Sequence, residues 1–451
     1  MGWISKLSFV ELTTYLSFQR STHLASRCLN ATSEPTTILN FSGSSCASDS
    51  ILSLYKRPSS QYRMMAAKMA APTDPPKSAY QPRYIDIGIN LADPIFRGMH
   101  HGKRRHPDDL EGVIDRAKEV GCSKLIVTGS DFNSSRDALD IAEQYPGTVY
   151  TTIGIHPCSS AIFSSSDEAA EGVHTDPDPA KPIPEHHEPD LTKTAAIISE
   201  LRDLIQEATT KNAGLVAFGE FGLDYDRLHY CSKTIQLHSF AAQLDLVLAR
   251  KPQLPLFLHS RAAHHDFVAL LKQKFGEKLE KLEKGGVVHS FTGTIEEARE
   301  LMDLGLFIGI NGCSFKTEEN CEVVKQIGLD RMMLETDGPW CDIRPSHFGY
   351  RYLIEKKPET NGSDIGPLAL ESAARPQSKS KKNQKKEPDV PERFKVVKKE
   401  KWEQGAMIKG RNEPCMIERV AKAVAGIKGV EVEKVCEAAW NNTVKVFGVS
   451  Q

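Results

Sequence analysis

Eight short apolar segments, each followed by an amphipathic helical pattern, constrain the fold of this chain more than any other feature. The predicted strands span residues 84–89, 124–128, 149–155, 214–219, 256–259, 286–289, 306–310 and 332–336. Apolar strands that alternate with helices are typical of a parallel sheet with helices packed on it. Eight such units over about 250 residues are the number that a closed barrel requires. The sequence therefore predicts an α/β fold, a (β/α)8 TIM barrel.

The helical patterns between the strands, and two more after them, support this prediction. They span residues 108–120, 134–145, 191–209, 231–250, 262–275, 294–304, 317–327, 414–426 and 430–447. The alternative is an open, doubly wound sheet. A Gly-rich phosphate-binding turn after the first strand would favour that fold, and the sequence has none there.

Three segments depart from this alternation. Residues 1–72 carry seven basic and three acidic residues and are rich in serine and threonine. That composition resembles an organelle transit peptide, and a disordered tail is the alternative. Residues 158–190 and 357–401 lack apolar periodicity, and the second contains a lysine run. We therefore predict a disordered extension over 1–83 and one barrel domain over 84–450, interrupted by these two disordered insertions.

Charge and cysteine content narrow the class of protein. Lysine plus arginine (57) nearly balances aspartate plus glutamate (59), which excludes a chain that is basic throughout. No apolar stretch reaches 18 residues, so no membrane-spanning helix is predicted. The ten cysteines include no C-x-x-C pair, which favours a reducing compartment. We expect a cytoplasmic or nuclear monomer, with a mitochondrial location through the N-terminal segment as the alternative.

Metal-binding residue types stand at the ends of four predicted strands. They are Glu220, His259, His289 and Asp337. In a (β/α)8 barrel the carboxyl ends of the strands share one rim, which carries the catalytic residues. Two imidazoles and two carboxylates suit a divalent cation such as Mg²⁺, Mn²⁺ or Zn²⁺. Because a carboxylate can bridge two ions, one or two ions per chain are possible.

Other polar and aromatic residues on the same rim are candidates for substrate binding. They are Asn90, Arg97, His156, Arg261 and Trp340. Arg261 lies two residues after His259 and could clamp a phosphate oxygen, with a structural salt bridge as the alternative. Arg97 belongs to loop 96–106, whose four basic residues and three histidines could follow a nucleic-acid backbone, with a solvated loop as the alternative. Trp340 could stack on a base or pack in the core.

Six short motifs, taken together, resemble one known family. They are DIGIN (86–90), GIHP (154–157), GEFGLDYDR (219–227), LHSR (258–261), HSFTG (289–293) and ETDGPW (335–340). In this order they resemble the TatD family of metal-dependent deoxyribonucleases, which belong to the metallo-dependent hydrolase barrels. The resemblance implies Glu220, His259, His289 and Asp337 as metal ligands and His156 as an active-site histidine. It also implies hydrolysis of phosphodiester bonds from the 3′ end of single-stranded DNA, with RNA as a further substrate.

The first strand departs from the pattern of many family members. Where those members have an H-x-H pair, this chain has Gly88 and Asn90, which leaves the second ion in question. A divalent ion, Mg²⁺ above all, held by Glu220, His259 and His289 would lower the pKa of a water molecule and supply hydroxide. Asp337 is then the expected general base. A second ion, or Arg261 with His156, is expected to neutralise the phosphate oxygens.

Two other functions remain as alternatives. The first is a barrel metallohydrolase of small-molecule esters or amides. Such enzymes commonly place a carboxylated lysine at strand four, where this chain has Glu220. The second is a non-catalytic protein that binds nucleic acid through residues 357–401.

Overall fold

The computed structural model describes residues 80–166, 181, 188–354 and 390–449. Residues 1–79 of the predicted extension lie outside the described residues. So do 167–180 and 182–187 of the first predicted insertion and 355–389 of the second, which includes its lysine run.

Eight parallel strands form one sheet in sequential order, which confirms the predicted barrel. The strands are β1 (Tyr84–Ile89), β2 (Cys122–Val127), β3 (Val149–Ile153), β4 (Leu215–Asp224), β5 (Leu256–Arg261), β6 (Gly286–Val288), β7 (Phe307–Ile310) and β8 (Met332–Leu334). The seam between β1 and β8 is closed just beyond β8. There the amide of Asp337 donates to the carbonyl of Gly88 (2.8 Å), and that of Asn90 donates to Gly338 (2.9 Å).

Helices follow the strands, and two more come at the end of the chain. They are α1 (Leu110–Glu119), α2 (Phe132–Gln144), α3 (Leu191–Lys211), α4 (Lys233–Ala249), α5 (His264–Phe275), α6 (Ile295–Asp303), α7 (Glu318–Gln326), α8 (Ile417–Lys428) and α9 (Val432–Phe447). None of the helices in the described ranges is both long and apolar enough to cross a bilayer.

Four strands, β3, β4, β5 and β8, end two or more residues away from their predicted ends. Strand β4 continues five residues past Gly219, because Leu223 and Asp224 still pair in register with Ser260 and Arg261 of β5. The prediction stopped where polar residues begin, yet these polar residues are buried. Strand β3 ends at Ile153 rather than at residue 155, because the Gln243 side chain bonds both backbone groups of Ile155 at 2.9 and 3.0 Å.

Residues next to the first strand and at the edges of the two predicted insertions contact the barrel. Before β1, Tyr80 and Arg83 both donate to Glu437 of α9 at 2.7–3.0 Å. At the edge of the first insertion, Pro157–Phe163 forms a 3-10 helix that buries Phe163. At the edge of the second, Val390 is buried. These edges are ordered because each contributes apolar or paired groups to the domain.

A row of aromatic rings supports the strand that carries Glu220. Phe221 is fully buried and packs edge-to-face against Phe218 and Phe240, with ring centroids 4.8 and 5.5 Å apart. Phe240 stacks on Phe267 of α5 at 5.3 Å. These ring contacts fix β4 on both sides of Glu220, which lies at the register shift between Gly219 and Phe221.

A buried group of four charged residues attaches the end of the second insertion to α1. This arginine–carboxylate quartet consists of Asp109, Arg116, Arg411 and Glu413, each at most 4% exposed. Arg116 donates to Asp109 at 3.0 Å and to Glu413 at 2.8 Å. Arg411 also donates to both carboxylates. Two positive and two negative charges therefore compensate each other within the protein.

Candidate active site

A cavity of about 910 Å³ opens at the carboxyl ends of the strands. Eight of the nine predicted site residues line it: Asn90, His156, Glu220, His259, Arg261, His289, Asp337 and Trp340. Strand β4 supplies Glu220 and β5 supplies His259 and Arg261, while His289 and Asp337 follow β6 and β8. Residues from distant parts of the sequence meet here because parallel strands end at one rim.

Glu220 lies at the centre of this group. Its Oε1 is 2.6 Å from Nε2 of His289 and 2.9 Å from Nδ1 of His259. These two nitrogens are 3.1 Å from each other. We call Glu220, His259 and His289 the histidine–glutamate cluster. All three are buried, so two nitrogen atoms and one oxygen converge on one point that is shielded from solvent.

Each histidine of the cluster has a second buried carboxylate behind it. Nε2 of His259 is 3.2 Å from Oδ2 of Asp224, and Nδ1 of His289 is 3.5 Å from Oε2 of Glu335. Asp224 and Glu335 are both fully buried. A carboxylate on one ring nitrogen holds the proton there and leaves the lone pair of the other nitrogen free. In the neutral form of each ring, the nitrogen next to Glu220 is then the one that can offer a lone pair to a metal ion.

His156 is held in a different way. Its Nδ1 accepts a hydrogen bond from the backbone N–H of Cys158 (3.0 Å), so a neutral ring carries its proton on Nε2. That Nε2 is 3.3 Å from Oε1 of Glu220. His156, Glu220 and His259 lie close enough for a shared ion. The hydrogen bond from Cys158 nevertheless makes His156 a donor toward the cavity rather than a source of a lone pair.

Asp337 is fixed by two donors. The amide of Asn90 donates to Oδ1 at 3.1 Å, and the thiol of Cys341 donates to Oδ2 at 3.2 Å. The hydroxyl of Thr128 donates to the Asn90 carbonyl oxygen at 2.6 Å, which turns the Asn90 NH₂ group toward Asp337. The orientation of the carboxylate is therefore set by the surrounding side chains.

The ionisation of the site follows from burial and from these contacts. Burial alone would raise the pKa of Glu220, but the positive charges of His289 and His156 outweigh it and hold this pKa well below its usual value. Burial would lower the pKa of His289, but Glu220 and Glu335 raise it well above its usual value. Burial raises the pKa of Asp337, opposed by His289 and reinforced by Glu220. The site thus favours positive charge next to Glu220.

The cluster fits a divalent cation. Nδ1 of His259 and Nε2 of His289 lie 2.9 and 2.6 Å from Oε1 of Glu220, while the other nitrogen of each ring faces Asp224 or Glu335. Protons on the imidazoles supply the positive charge beside Glu220, and a divalent cation can replace those protons because metal binding releases them from its ligands. Two imidazoles and one carboxylate are a common ligand set for a catalytic metal ion.

The space where an extra imidazole would stand on β1 is already filled. A Cβ atom at Gly88 would lie 2.5 Å from Oε2 of Glu335, and one at Gly309 would lie 3.1 Å from Oε1. The Glu335 side chain is further fixed by donors from the Ser290 backbone and the Asn311 amide. The first histidine of an H-x-H pair would stand at Gly88, and in this chain the carboxylate of Glu335 fills the space that its side chain would need.

The rest of the cavity is positively charged. Four basic side chains line it: Arg227, Arg261, Lys316 and Arg344. Arg227 pairs with Asp224 at 3.7 Å. Arg261, Lys316 and Arg344 form no ion pair with an acidic residue in the described ranges, so the salt-bridge alternative for Arg261 finds no partner there. Trp340 is 55% exposed, so it does not pack in the core.

Arg97, the ninth predicted residue, does not line the cavity. Its guanidinium donates to Asp108 at 3.0 Å. After β1 the chain turns into a short hairpin, in which Met99–His100 pairs with Lys103–Arg104, instead of crossing the rim. Loop 96–106 was predicted to lie at the site because it follows β1. In the structure this loop contains the hairpin, and Arg97 contacts Asp108 instead.

No role was predicted from the sequence for Asp224, Glu335 or Thr128. Asp224 lies four residues after Glu220 on β4, and an even spacing puts both side chains on the same face of a strand. Glu335 is an acidic residue directly after the apolar run of β8. These two patterns are the available signals. The contact of Thr128 with Asn90 joins two strands and has no local signature.

The eight-stranded barrel and the buried histidine–glutamate cluster at its carboxyl rim define a metallo-dependent hydrolase, a class whose chemistry uses a divalent metal. Residues 85–448 match the family model described as TatD related DNase. The chain therefore belongs to the TatD family.

Named proteins with similar sequences support this assignment. The deoxyribonuclease Tat-D of Schizosaccharomyces pombe is 40% identical over 365 residues, which cover 81% of this chain and 96% of that protein. The 3′-5′ ssDNA/RNA exonuclease TatD of Erwinia tasmaniensis is 33% identical and covers 64% of this chain and 96% of its own length. Among solved structures, an uncharacterized amidohydrolase from Saccharomyces cerevisiae superposes with a TM-score of 0.64 at 33% identity, over 81% of this chain and all of that one.

Proposed function

We propose that this chain is a divalent-metal-dependent nuclease that removes nucleotides from the 3′ end of single-stranded DNA, and that it also accepts RNA. The observation that carries the proposal is the cluster of Glu220, His259 and His289 at the bottom of a cavity lined by basic side chains. A positively charged cavity suits a polyanionic substrate. The direction of degradation and the choice of substrate rest on the named relatives.

Glu220, His259 and His289 are the residues that would hold the ion, with Mg²⁺ as the expected metal. A bound divalent ion supplies Lewis acidity and lowers the pKa of a water molecule to near neutrality. Asp224 and Glu335 keep the two imidazoles in the tautomers that can bind it. Because Glu335 fills the space beside Gly88, we propose one tightly bound ion rather than two.

Asp337 is the residue that we propose as general base. The donors Asn90 and Cys341 leave each of its carboxylate oxygens one further lone-pair direction, so the group can accept a proton from the attacking water. Asp337 lines the same cavity as the histidine–glutamate cluster. Its role requires the charged form, whose orientation Asn90 and Thr128 maintain.

Positive and hydrogen-bonding groups around the cluster would bind the phosphodiester. The Nε2 proton of His156 can be donated to a phosphate oxygen, and the guanidinium of Arg261 has no described acidic partner that competes for it. Both would stabilise negative charge that builds on phosphorus oxygens in the transition state. The exposed Trp340 ring would stack on a base, a contact that tolerates any sequence.

A second basic region would receive the rest of the strand. The hairpin residues Lys103, Arg104 and Arg105 are exposed, and a cavity of about 320 Å³ beside them is lined by basic side chains, among them Lys398 and Lys409. Arg411 lines this cavity, and the next residue, Asn412, donates to the backbone of Trp340 at 2.7 Å, so the segment that lines this cavity also contacts the active-site rim. Non-specific contacts of this kind bind the phosphate backbone.

Digestion of a 5′-labelled single-stranded DNA oligonucleotide tests the proposal. Wild type with Mg²⁺ or Mn²⁺ should give a ladder of shortened 5′-labelled products that disappears with EDTA. A 3′-blocked oligonucleotide should resist, because release starts at the 3′ end. Glu220→Gln should be inactive, while the matched variant Glu283→Gln, in an exposed ion pair with Lys251, should behave like wild type.

The outcomes separate the proposal from its alternatives. Equal cleavage by Glu220→Gln would remove the cluster from the reaction. Absence of cleavage with either metal, together with hydrolysis of small esters or amides, would replace the nuclease by a small-molecule hydrolase. Cleavage of the 3′-blocked strand would retain the nuclease but make it an endonuclease.

A further inference from the structure

Two thiols are in contact at the side of the active-site cavity. The Sγ atoms of Cys313 and Cys341 are 2.8 Å apart. Cys313 lies in the turn Gly312–Phe315 after β7, and Cys341 comes seven residues after the end of β8. Among the cysteines in the described ranges, no other pair of thiols is in contact. The proposed hydrolysis uses neither thiol as a reacting group.

The fold holds this pair together through the backbone. A Cβ atom at Gly312 would come within 1.9 Å of the carbonyl oxygen of Cys341, so the two loops touch and residue 312 must be glycine. The backbone N–H of Cys313 donates to the side chain of Asn311 at 2.9 Å, which fixes the turn. The two thiols are therefore neighbours because of main-chain packing rather than because of flexible side chains.

Both thiols can be reached from the cavity. Cys313 and Cys341 line it, and Cys341 is half-buried, whereas Cys313 is 8% exposed. Most of the other described cysteines are buried and do not line this cavity. A small oxidant that enters the cavity would thus meet a thiol with a second thiol behind it.

We propose that Cys313 and Cys341 are a modification site that forms a reversible disulfide with a small-molecule disulfide such as oxidised glutathione. One cysteine thiolate attacks a sulfur of the small disulfide, which makes a mixed disulfide and releases one small thiol. The second cysteine then attacks the protein sulfur of this mixed disulfide and releases the second small thiol. Two protein thiols lose two protons and two electrons, and the small disulfide is reduced to two thiols.

The modification would reach the active site through Asp337. In the reduced protein the thiol of Cys341 donates to Oδ2 of Asp337 at 3.2 Å. A disulfide has no S–H donor, so Asp337 would keep only the hydrogen bond from Asn90. A displacement of a reacting group by about 1 Å can cost about 10²-fold in rate. This consequence rests on the proposed function, whereas the formation of the disulfide rests on the thiol geometry alone.

Peptide mapping of the full-length protein tests the modification without reference to activity. After treatment with oxidised glutathione, tryptic digestion should yield the peptides 300–316 and 332–351 joined and about 2 Da lighter than their sum, and dithiothreitol should separate them. Cys313→Ser and Cys341→Ser should each abolish the joined species. Cys158→Ser, which removes another thiol of the same cavity, should leave it unchanged.

The effect of the disulfide on Asp337 is tested with the labelled oligonucleotide. The measured quantity is the hydrolysis rate of the oxidised protein divided by that of the reduced protein. Wild type and Cys158→Ser should lose about tenfold or more on oxidation and recover with dithiothreitol. The double variant Cys313→Ser/Cys341→Ser should keep a ratio near one, whatever its rate when reduced, because a variant with only one of the two thiols can stop at the mixed disulfide. The serine in Cys341→Ser retains a hydroxyl donor for Asp337.

Each result has a defined meaning. Failure to find the joined peptides at any ratio of oxidised to reduced glutathione would overturn the modification site. If the joined peptides form but oxidised and reduced protein hydrolyse the oligonucleotide at the same rate, the modification site stands and its effect on Asp337 is overturned. Absence of hydrolysis in reduced wild type would contradict the proposed function, while the mapping result would still decide the disulfide.

Discussion

The protein buries two groups of charged residues, and they are built in opposite ways. In the arginine–carboxylate quartet, two guanidinium groups alternate with two carboxylates, so each charge faces an opposite charge. In the histidine–glutamate cluster, nitrogens of two imidazoles face a carboxylate oxygen at 2.6–2.9 Å. The guanidinium charges of the quartet are permanent, so this group is closed and serves the fold. The positive charge of the cluster is carried by protons that a metal ion can replace, so this group is open to a ligand.

The largest expected effect is a loss of stability when the arginine–carboxylate quartet is broken. Arg116→Ala leaves Asp109 and Glu413 buried with only Arg411 to compensate them, and breaking a buried pair costs about 3–5 kcal/mol. Urea unfolding should show this loss, while metal affinity of the folded protein stays at the wild-type value. Arg136→Ala, from an exposed pair with Glu200, is the control and should cost about 1 kcal/mol or less. Equal losses in the two variants would contradict the distinction.

The next effect is a loss of turnover when Asp337, in the same cavity as the histidine–glutamate cluster, is changed. Asp337→Asn removes the proposed base but keeps the size of the side chain, so turnover should fall by about 10²-fold or more with the fold retained. Steady-state rates and circular dichroism measure the two quantities. Asp342→Asn changes another aspartate of the cavity and should retain most of the activity. If both variants turn over like wild type, Asp337 is not the base.

Metal addition tests directly whether the histidine–glutamate cluster binds a cation. A ligand that binds only the folded state at about 100 times its Kd stabilises it by about 2.7 kcal/mol. Mn²⁺ should therefore raise the unfolding free energy of wild type and of Arg116→Ala alike, and EDTA should reverse the gain. Glu220→Gln should not respond, because its cluster has lost the carboxylate. If Mn²⁺ stabilises Glu220→Gln as much as wild type, the ion binds at another place in the protein.

The smallest effect concerns the carboxylates behind the histidines. Asp224→Asn removes the charge that faces Nε2 of His259, and loss of such a partner weakens metal binding by about 10–100-fold. A metal titration followed by calorimetry measures the Kd independently of hydrolysis. Asp266→Asn, in a more exposed pair with Lys233, is the matched control. Unchanged affinity in Asp224→Asn would show that it does not position His259.

The barrel was predictable from sequence because its signal is local. Each strand is a short apolar run and each helix has its own periodicity, so all eight strands were identified, although β3, β4, β5 and β8 end two or more residues away from their predicted ends. The convergence of Glu220, His259 and His289 followed from the rule that parallel strands end at one rim. The contact of Asp224 with His259, and the quartet that joins Asp109 to Arg411, depend on three-dimensional packing across many residues. Arg97 was assigned to the site because sequence does not reveal how a loop turns.

The carboxylate that fills the space beside Gly88 restricts how this site can change. A family member with an imidazole at this position of β1 cannot be reached from this chain by one substitution, because any side chain at residue 88 would collide with Glu335. Shortening Glu335 first would leave His289 without its partner. The two positions must therefore change together, and each single intermediate loses either packing or metal orientation. The two forms of strand one are separated by a mutational barrier rather than by a gradual path.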